Sequence, residues 1–276
     1  MIIKKSQCIR NLSLFLILTI ISNICLVSAQ QANPILDSIY SKTLQEQRDI
    51  RIVLPKGYNL QNKYDVIYVL DGETMTDAFT KLHDITSDWQ EMPRCIIVGV
   101  ENKIIDSVSQ RDRDLLPTNM SMSPMSGKAD NYINFIKEDV MSLINKTYAT
   151  SGRNMLFGHS HAGTFTMYTL LKAPTLFNAY IAADPSLWWD NGYVTKMYKK
   201  ALTDDASRLE AKLYIAGLEG EMYRRMGIEA LEVVFKENYP QNLKWKIKTY
   251  ENETHITVIL KTVYDGLKFV YQDFKK

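Results

Sequence analysis

The sequence predicts an α/β protein with a doubly wound, mostly parallel sheet and helices on both faces. Continuously apolar runs such as 66–70 and 95–100 are typical of strands covered on both sides. Between such runs, segments such as 130–148 place apolar side chains on one helical stripe. This alternation of strands and helices favours the doubly wound class. The predicted strands cover 50–54, 66–70, 95–100, 155–157, 180–182, 213–216 and, at an edge, 243–250; the predicted helices cover 130–148, 165–172, 193–202, 228–235 and 256–274.

The composition excludes other classes of protein. The chain has 276 residues, 46% hydrophobic and 23% charged, which is the balance of a globular protein with a full core. A formal net charge of +2 is too small for a protein that binds nucleic acid through its overall field. We therefore expect no nucleic-acid partner, and the sequence leaves the oligomeric state open.

Residues 1–29 are predicted to form a signal peptide. Three basic residues precede an apolar run over 12–27, and the run ends at Val27-Ser28-Ala29, which suits cleavage after Ala29. The prediction is a secreted or periplasmic protein whose residues 30–276 form a single domain; an uncleaved membrane anchor is the alternative. After cleavage we expect no stable membrane insertion, because no other apolar run is long enough to span a bilayer.

Cleavage also determines how many cysteines the mature chain contains. Cys8 and Cys25 leave with the signal peptide, so Cys95 remains alone and no intrachain disulfide is possible in the mature chain. Cys95 opens an apolar run, and we expect it to be a packed core thiol rather than a nucleophile.

The segment Gly158-His159-Ser160-His161-Ala162-Gly163 has the context of a nucleophile elbow, since it lies between an apolar strand and a helical pattern. Such an elbow holds the serine in a strained conformation that exposes its hydroxyl, and small neighbours avoid collisions. Ala162 stands where glycine is usual. The following helix directs its positive end at the site, so the amide of His161 is a candidate oxyanion-hole donor. Ser160 is the predicted nucleophile.

A serine nucleophile needs a base, and the chain has four histidines. His159 and His161 adjoin Ser160 on a tight turn, where neighbouring side chains point apart. His83 lies upstream of the elbow. His255 follows the last predicted strand in a polar loop, which is where α/β hydrolases carry their base, so His255 is the predicted base.

The third catalytic member is expected to be an acid at a strand end. Glu219 and Glu221 follow the strand over 213–216, and we favour Glu221 slightly because Gly220 permits a tight turn. Asp184 is the weaker candidate, because Pro185 follows it and is expected to turn the chain away. A Ser–His dyad without an acid is a further alternative.

Two other patterns carry alternative interpretations. His159 and His161 have a spacing that can bind a metal from a strand, but no further ligand cluster supports such a site, and we predict neither metal nor cofactor. The segment over 115–127 contains alternating Met and Ser residues without periodicity. It is either a mobile surface loop or a Met-lined edge of a binding site.

Together these residues resemble the "Putative esterase" family of α/β hydrolases, which includes enterochelin-type siderophore esterases, feruloyl and acetylxylan esterases and S-formylglutathione hydrolase. The resemblance spans nearly the whole mature chain. Two positions depart from the family pattern, with Leu116 in place of a threonine and Asp184 in place of a serine. The segments that carry the resemblance are 41–55, 64–72, 111–117, 184–189 and 253–258.

The resemblance implies an α/β-hydrolase fold with Ser160 as nucleophile and His255 as base, and it supports an acid in the loop 217–221. It implies that the turn at Gly72 or Glu73 supplies the second oxyanion amide.

The resemblance also suggests residues for the substrate. Arg111 and Arg113 are expected to face it, or else to form ion pairs with Asp112 or Asp114. Trp188 and Trp189 are expected to wall the pocket, although one of them can equally belong to the core.

The predicted function is an exported serine esterase that hydrolyses carboxylic esters through an acyl-enzyme. Export favours siderophore-, carbohydrate- or aromatic-acid-linked esters over a cytosolic thioester. An acyltransferase, a peptidase and an inactive binding protein on the same fold are the alternatives.

Overall fold

The computed structural model describes residues 34–274, and the predicted signal peptide lies outside the described residues. Eight strands form one sheet in the order β1-β2-β4-β3-β7-β8-β9-β10. The pairings of β1 with β2 and of β2 with β4 are antiparallel, and all others in this sheet are parallel. Two short strands, β5 and β6, form a separate hairpin. The strands are β1 (Ile35–Ser41), β2 (Glu46–Val53), β3 (Tyr64–Leu70), β4 (Ile96–Val100), β5 (Ile104–Ile105), β6 (Val108–Ser109), β7 (Thr150–His159), β8 (Ala179–Ala183), β9 (Ala211–Leu218) and β10 (Leu243–Tyr250).

Helices cover both faces of the sheet, which confirms the predicted α/β-hydrolase fold. Helices α1 and α9 pack on one face around Phe79, Val263 and Leu267. The other helices enclose a larger core on the opposite face, around Phe165 and Tyr198. The helices are α1 (Gly72–Asp88), α2 (Arg111–Leu115), α3 (Ala129–Asn134), a π-helical segment (Phe135–Met141), α4 (Ser142–Thr147), α5 (His161–Lys172), α6 (Trp189–Asp204), α7 (Glu221–Arg225), α8 (Ile228–Glu237) and α9 (Val258–Val270).

The seven predicted strands are all present, and β10 is an edge strand as expected. The predicted helix over 130–148 is also present, with a π-helical centre. β1 was not predicted, because it is mostly exposed and so lacks the apolar run that marks the inner strands. Within residues 34–274, no helix combines the length and apolar character that crossing a bilayer demands.

Strand register brings three strand ends together. Val69 of β3 pairs with Phe157 of β7, and His159 of β7 pairs with Ala183 of β8. The chain therefore leaves β3, β7 and β8 at one edge of the sheet, at neighbouring positions. Parallel α/β sheets place their functional residues at this edge.

Cys95 and His83, to which the sequence assigned no catalytic role, are buried on the face of the sheet covered by α1. Cys95 precedes β4 and is 1% exposed, and its burial raises the pKa of the thiol far above the ordinary range. His83 of α1 is also buried, and its Nε2 accepts a hydrogen bond of 3.0 Å from the backbone N–H of Cys95. The ring of His83 thus ties α1 to the residue before β4, and Cys95 is buried in the core as expected.

A buried charge cluster joins β2 to α2. The fully buried Arg48 side chain lies 2.6 Å from Asp114 and 3.0 Å from Glu46. Arg113 contacts the same two carboxylates, at 2.6 Å from Glu46 and 2.7 Å from Asp114. The expectation that Arg113 faces the substrate is therefore wrong: its guanidinium is held by two acids, and the alternative ion pair with Asp114 is the one observed.

We predict that the cluster is needed for stability. Arg48→Met removes one of the two guanidinium groups that bind Asp114 and leaves Arg113 as the other, so the loss of charged hydrogen bonds is expected to cost about 1.5–3 kcal/mol in the free energy of unfolding. The matched control is Lys200→Met, which removes an exposed i,i+4 pair with Asp204 and costs less than about 0.5 kcal/mol. Urea unfolding measures both; equal losses would contradict the prediction.

Candidate active site

Ser160 has the backbone conformation of a nucleophile elbow. Its φ is 59° and its ψ is −121°, a region that non-glycine residues rarely adopt. The backbone N–H of Ser160 donates to the carbonyl of Ala183 at 3.0 Å, and its carbonyl accepts from Ser186 at 3.2 Å. The serine therefore stands between β7 and α5, tied to the residues that follow β8.

Small residues make this turn possible. A Cβ atom on Gly158 would lie 2.2 Å from the carbonyl oxygen of Ala162, so no side chain fits there. A Cβ on Gly163 would lie 3.0 Å from Cα of Pro185. The methyl group of Ala162, in the position where glycine is usual, is fully buried and accommodated.

The ring of His255 is bonded to Asp184. The distance from His255 Nδ1 to Asp184 Oδ2 is 2.6 Å, and the Asp184 side chain is fully buried. Because a carboxylate accepts, Nδ1 carries the proton and Nε2 is left as an acceptor. This is the orientation that a histidine base requires.

The prediction that Glu219 or Glu221 contacts the ring of His255 is wrong, because the carboxylate at the ring is that of Asp184. Both glutamates are exposed. Glu219 accepts from the hydroxyl of Thr249, and Glu221 begins α7. Pro185 does not turn Asp184 away, because it packs against Gly163 and keeps the end of β8 beside the elbow.

A signal for Asp184 was present in the sequence. An acid that directly ends the strand following the elbow lies next to the nucleophile in a parallel sheet, whereas β9 is one strand further away. Strand order, rather than the proline, is the informative feature.

Ser160 Oγ lies 3.4 Å from Ser186 Oγ, and this is the side-chain hydrogen bond that the structure gives it within residues 34–274. Ser186 is buried and was not among the residues singled out from the sequence. The turn over 184–186 thus contacts both the predicted base and the predicted nucleophile.

The residues expected at the oxyanion hole begin two helices at this edge. His161 is the first residue of α5, and Gly72 and Glu73 are the first two of α1. Amides in the first turn of a helix have no partner within the helix and point outward from its positive end. Asp71, before Gly72, has a φ of 55°, and a Cβ on Gly72 would lie 2.6 Å from the backbone of Gly99. Gly72 thus lets α1 begin against β4.

Arg111 links this turn to the elbow. Its Nε and Nη2 donate to the two carboxylate oxygens of Asp71 at 2.6 and 2.9 Å, and Nη2 also donates to the backbone carbonyl of His159 at 3.1 Å. Neither Asp112 nor Asp114 is its partner, so the alternative pairing foreseen for Arg111 is wrong. These bonds hold the turn at Asp71 against the elbow, and the expected contact of Arg111 with a substrate stays a prediction.

His159 is buried behind the elbow. Its Nε2 lies 2.7 Å from the backbone carbonyl of His255, and the two rings are 4.4 Å apart between centroids. Burial, together with the nearby His255, lowers the pKa of His159 to about 4. The ring is therefore neutral at pH 7 and donates from Nε2. His159 and His161 have separate partners, with Nδ1 of His161 at 2.8 Å from Asp112.

The Met-rich loop lies beside this edge. Ser123 donates to Asp112, the partner of His161, at 3.1 Å, and Met120 Sδ accepts from the backbone of Asp190 at 3.2 Å. The hydrogen bond from His161 is the main reason that the pKa of Asp112 is below its ordinary value. Met122 is 66% exposed. These contacts favour the interpretation of the loop over 115–127 as an edge of a binding site.

The two tryptophans have different environments. Trp189 is buried, and its Nε1 donates to Thr118 Oγ1 at 3.0 Å. Trp188 is 37% exposed, and its ring lies 6.3 Å from that of His161. Trp189 is therefore the core residue of the pair, and Trp188 is the one available to a ligand.

Comparisons with known proteins agree with this geometry. The sequence profile of the family described as "Putative esterase" matches residues 41–256. The chain belongs to this family. It is 30% identical over 230 residues to the ferri-bacillibactin esterase of Bacillus subtilis, covering 75% of this chain and 78% of that one. It is 25% identical over 247 residues to the siderophore enterobactin esterase of Emericella nidulans, covering 75% and 82%.

Among solved structures, an IroE-like serine hydrolase from Shewanella oneidensis superposes with a TM-score of 0.78 at 28% identity, covering 87% of this chain and 80% of that one. Membership of the family and these relatives make the chain a serine esterase that acts on ester bonds.

For this esterase we predict that Asp184, and neither glutamate, supports turnover. Asp184→Asn replaces the carboxylate with a neutral amide, which no longer stabilises the imidazolium of His255 or fixes its tautomer, and kcat is expected to fall about 10²–10⁴-fold. Glu219→Gln and Glu221→Gln are the matched controls and are expected to stay within about twofold of wild type, because neither residue contacts the ring. Steady-state hydrolysis of an aryl ester measures all three. A Glu221→Gln variant that is inactive while Asp184→Asn remains active would overturn the assignment.

We also predict a pH-dependent loss of stability from His159. Its ordinary pKa of 6.5 applies to the unfolded chain, whereas the folded value is about 4. Between these values the unfolded state binds a proton that the folded state does not, so stability falls as the pH falls from 6.5 towards 4. The contribution is about 2–3 kcal/mol.

The measurement is the difference between wild type and His159→Gln in urea unfolding at pH 7 and pH 4.5. Glutamine does not titrate, so the variant is expected to lose less stability over this interval. Parallel losses in the two proteins would contradict the prediction.

Proposed function

We propose that this chain is an exported siderophore esterase that works through an acyl-enzyme, with Ser160 as nucleophile, His255 as base and Asp184 as the orienting acid. The observation that carries the proposal is the 2.6 Å contact between His255 and Asp184 beside the strained Ser160. A serine on an elbow, followed in space by a histidine held by a buried carboxylate, is the arrangement that activates a hydroxyl in many hydrolases.

In the first step, His255 Nε2 takes the hydroxyl proton of Ser160 as Oγ attacks the carbonyl carbon of the ester. Ser160 Oγ must first leave its contact with Ser186 Oγ, which lies at 3.4 Å. Catalytic hydrogen bonds often form fully only when substrate is bound. Asp184 stabilises the imidazolium that results.

The oxyanion of the tetrahedral intermediate is bound by backbone amides. We assign these to His161 and to Gly72 or Glu73, because each lies in the first turn of a helix at the same edge of the sheet. The side chain of Glu73 accepts a hydrogen bond of 2.7 Å from Asn102 Nδ2, and we assign it no role in the reaction.

Collapse of the intermediate expels the alcohol, which receives the proton from His255. Water then attacks the acyl-enzyme with His255 again as base, and the acid product leaves Ser160 free. Both half-reactions balance without a metal or cofactor.

The substrate class is supported by the relatives. They are named for ester hydrolysis of two siderophores, ferri-bacillibactin and enterobactin. The exposed ring of Trp188 lies 6.3 Å from that of His161, and Met122 and Met125 are exposed on the loop whose Ser123 binds Asp112, the partner of His161. Such apolar, polarisable side chains suit aromatic groups. Export follows from the predicted signal peptide over 1–29, and N-terminal sequencing of the protein recovered outside the cytoplasm tests it by the expected start at Gln30.

We predict that Ser160→Ala abolishes siderophore ester hydrolysis. Loss of the nucleophile is expected to reduce kcat about 10⁴–10⁶-fold with no change in fold, because the substitution removes one hydroxyl whose side-chain contact, with Ser186 Oγ, is a long 3.4 Å. The matched control is Ser207→Ala, at the opposite end of the sheet before β9, which should retain wild-type activity. The assay is chromatographic detection of products from a panel of siderophore, feruloyl and acetylated-carbohydrate esters.

Four outcomes would count against the proposal, two from this panel and two from parallel assays with an added alcohol and with a fluorophosphonate probe. Normal activity in a folded Ser160→Ala variant would exclude the mechanism. Wild-type activity on feruloyl or carbohydrate esters alone would exclude the siderophore class. Transfer of the acyl group to an added alcohol in preference to water would make the chain an acyltransferase, and absence of any labelling by a fluorophosphonate would make it an inactive binding protein.

A further inference from the structure

His159 is a buried titratable group that the proposed reaction does not use. It precedes Ser160 in the chain, and its ring faces the loop that carries His255. We propose that His159 is a positioning residue, which fixes the catalytic ring of His255 by donating a hydrogen bond to the main-chain carbonyl of His255. This inference rests on the proposed function only in calling His255 the base.

The loop that carries His255 has few other attachments. Residues Thr254, Ile256 and Thr257 are exposed, and their hydrogen bonds run within the loop or to the start of α9. In the described part of the chain, the hydrogen bonds that tie residues 251–257 to the central sheet both end on His255, one at its ring and one at its carbonyl. The bond to the ring orients the imidazole, whereas the bond to the carbonyl fixes the backbone from which the imidazole extends.

The chemistry of the second bond is specific. A carbonyl oxygen can only accept, so Nε2 of His159 must carry a proton, and the distance of 2.7 Å is that of a good hydrogen bond. Burial keeps the ring uncharged at neutral pH. An uncharged donor is needed here, because a second positive charge 4.4 Å from the ring of His255 would disfavour the imidazolium that the reaction forms.

His159 also connects the base to the oxyanion turn. Its own carbonyl accepts from Arg111, and the same guanidinium clamps both oxygens of Asp71, the residue before Gly72. The base loop and the oxyanion turn thus take their positions from one residue of the elbow. Errors of about 1 Å in such positions cost on the order of 10² in rate.

Three variants test the proposal. His159→Leu removes the donor and keeps an apolar side chain in the buried site. His159→Gln retains a donor of similar reach. His83→Leu is the matched control, since it removes a buried histidine whose partner is the backbone of Cys95 and not the base loop.

In steady-state ester hydrolysis, His159→Leu is expected to lower kcat about 10–100-fold with KM within about threefold of wild type, because binding groups are untouched. His159→Gln should recover most of kcat. His83→Leu should reduce stability and leave kcat of the folded protein near wild type. If His159→Leu does not fold, His159→Asn, whose amide is too short to reach the carbonyl, takes its place.

The second readout is independent of ester hydrolysis. Long-range ¹H–¹⁵N spectra of histidine-labelled protein report the tautomer of each of the four histidines. His255 is expected to be protonated at Nδ1 in wild type and in His159→Gln, and to show averaged tautomers in His159→Leu. Unchanged kcat and an unchanged His255 tautomer in His159→Leu would overturn the proposal, as would an equal loss of kcat in the control His83→Leu.

The two proposals fail separately. A wild-type protein that hydrolyses no ester, but in which His159→Leu disturbs the His255 tautomer, would refute the proposed function and retain the positioning role. Full ester hydrolysis with no response of kcat or tautomer to His159→Leu would do the reverse.

Discussion

The strained backbone at Ser160 is the constraint on which the rest of the site depends. A non-glycine residue at this φ and ψ costs about 1–3 kcal/mol, and the conformation persists only where neighbouring groups enforce it. Here the enforcement comes from two backbone hydrogen bonds to the end of β8 and from the absence of a side chain at Gly158. Close packing between the ends of the strands thus fixes the conformation of the elbow. The other residues of the site lie around it.

Three adjacent strands supply the parts in order. The turn after β3 offers the helix amides of α1, β7 carries the serine, and the end of β8 holds Asp184. The proposed base lies on the exposed loop between β10 and α9, and its hydrogen bonds to His159 and Asp184 hold it beside the elbow. Side chains behind the elbow, among them His159 and Arg111, are thus engaged in holding backbone.

Much of this was available from the sequence, for physical reasons that can be named. The inner strands and their helices were predicted because burial on both faces leaves continuous apolar runs, and Ser160 and His255 because strand, turn and helix follow one another in a fixed order. Asp184 was ranked below Glu219 and Glu221 because that ranking rested on local spacing, whereas the distance of a carboxylate from the ring of His255 depends on the order of the strands in the sheet. Pro185 was taken as a sign that the chain turns away, whereas it packs on Gly163. The pairing of Arg113 with Glu46, 67 residues earlier, is likewise a long-range contact that local sequence does not indicate.

The turn over Asp184, Pro185 and Ser186 has a mechanical consequence. Asp184 contacts the ring of His255, and Ser186 contacts both the hydroxyl and the backbone carbonyl of Ser160. Ser160 and His255, which meet in the proposed reaction, are therefore both held by one short segment with the rigid ring of Pro185 at its centre. Thermal displacement of the end of β8 therefore carries Ser160 and His255 in the same direction. The distance between these two residues fluctuates less than their position relative to the rest of the sheet.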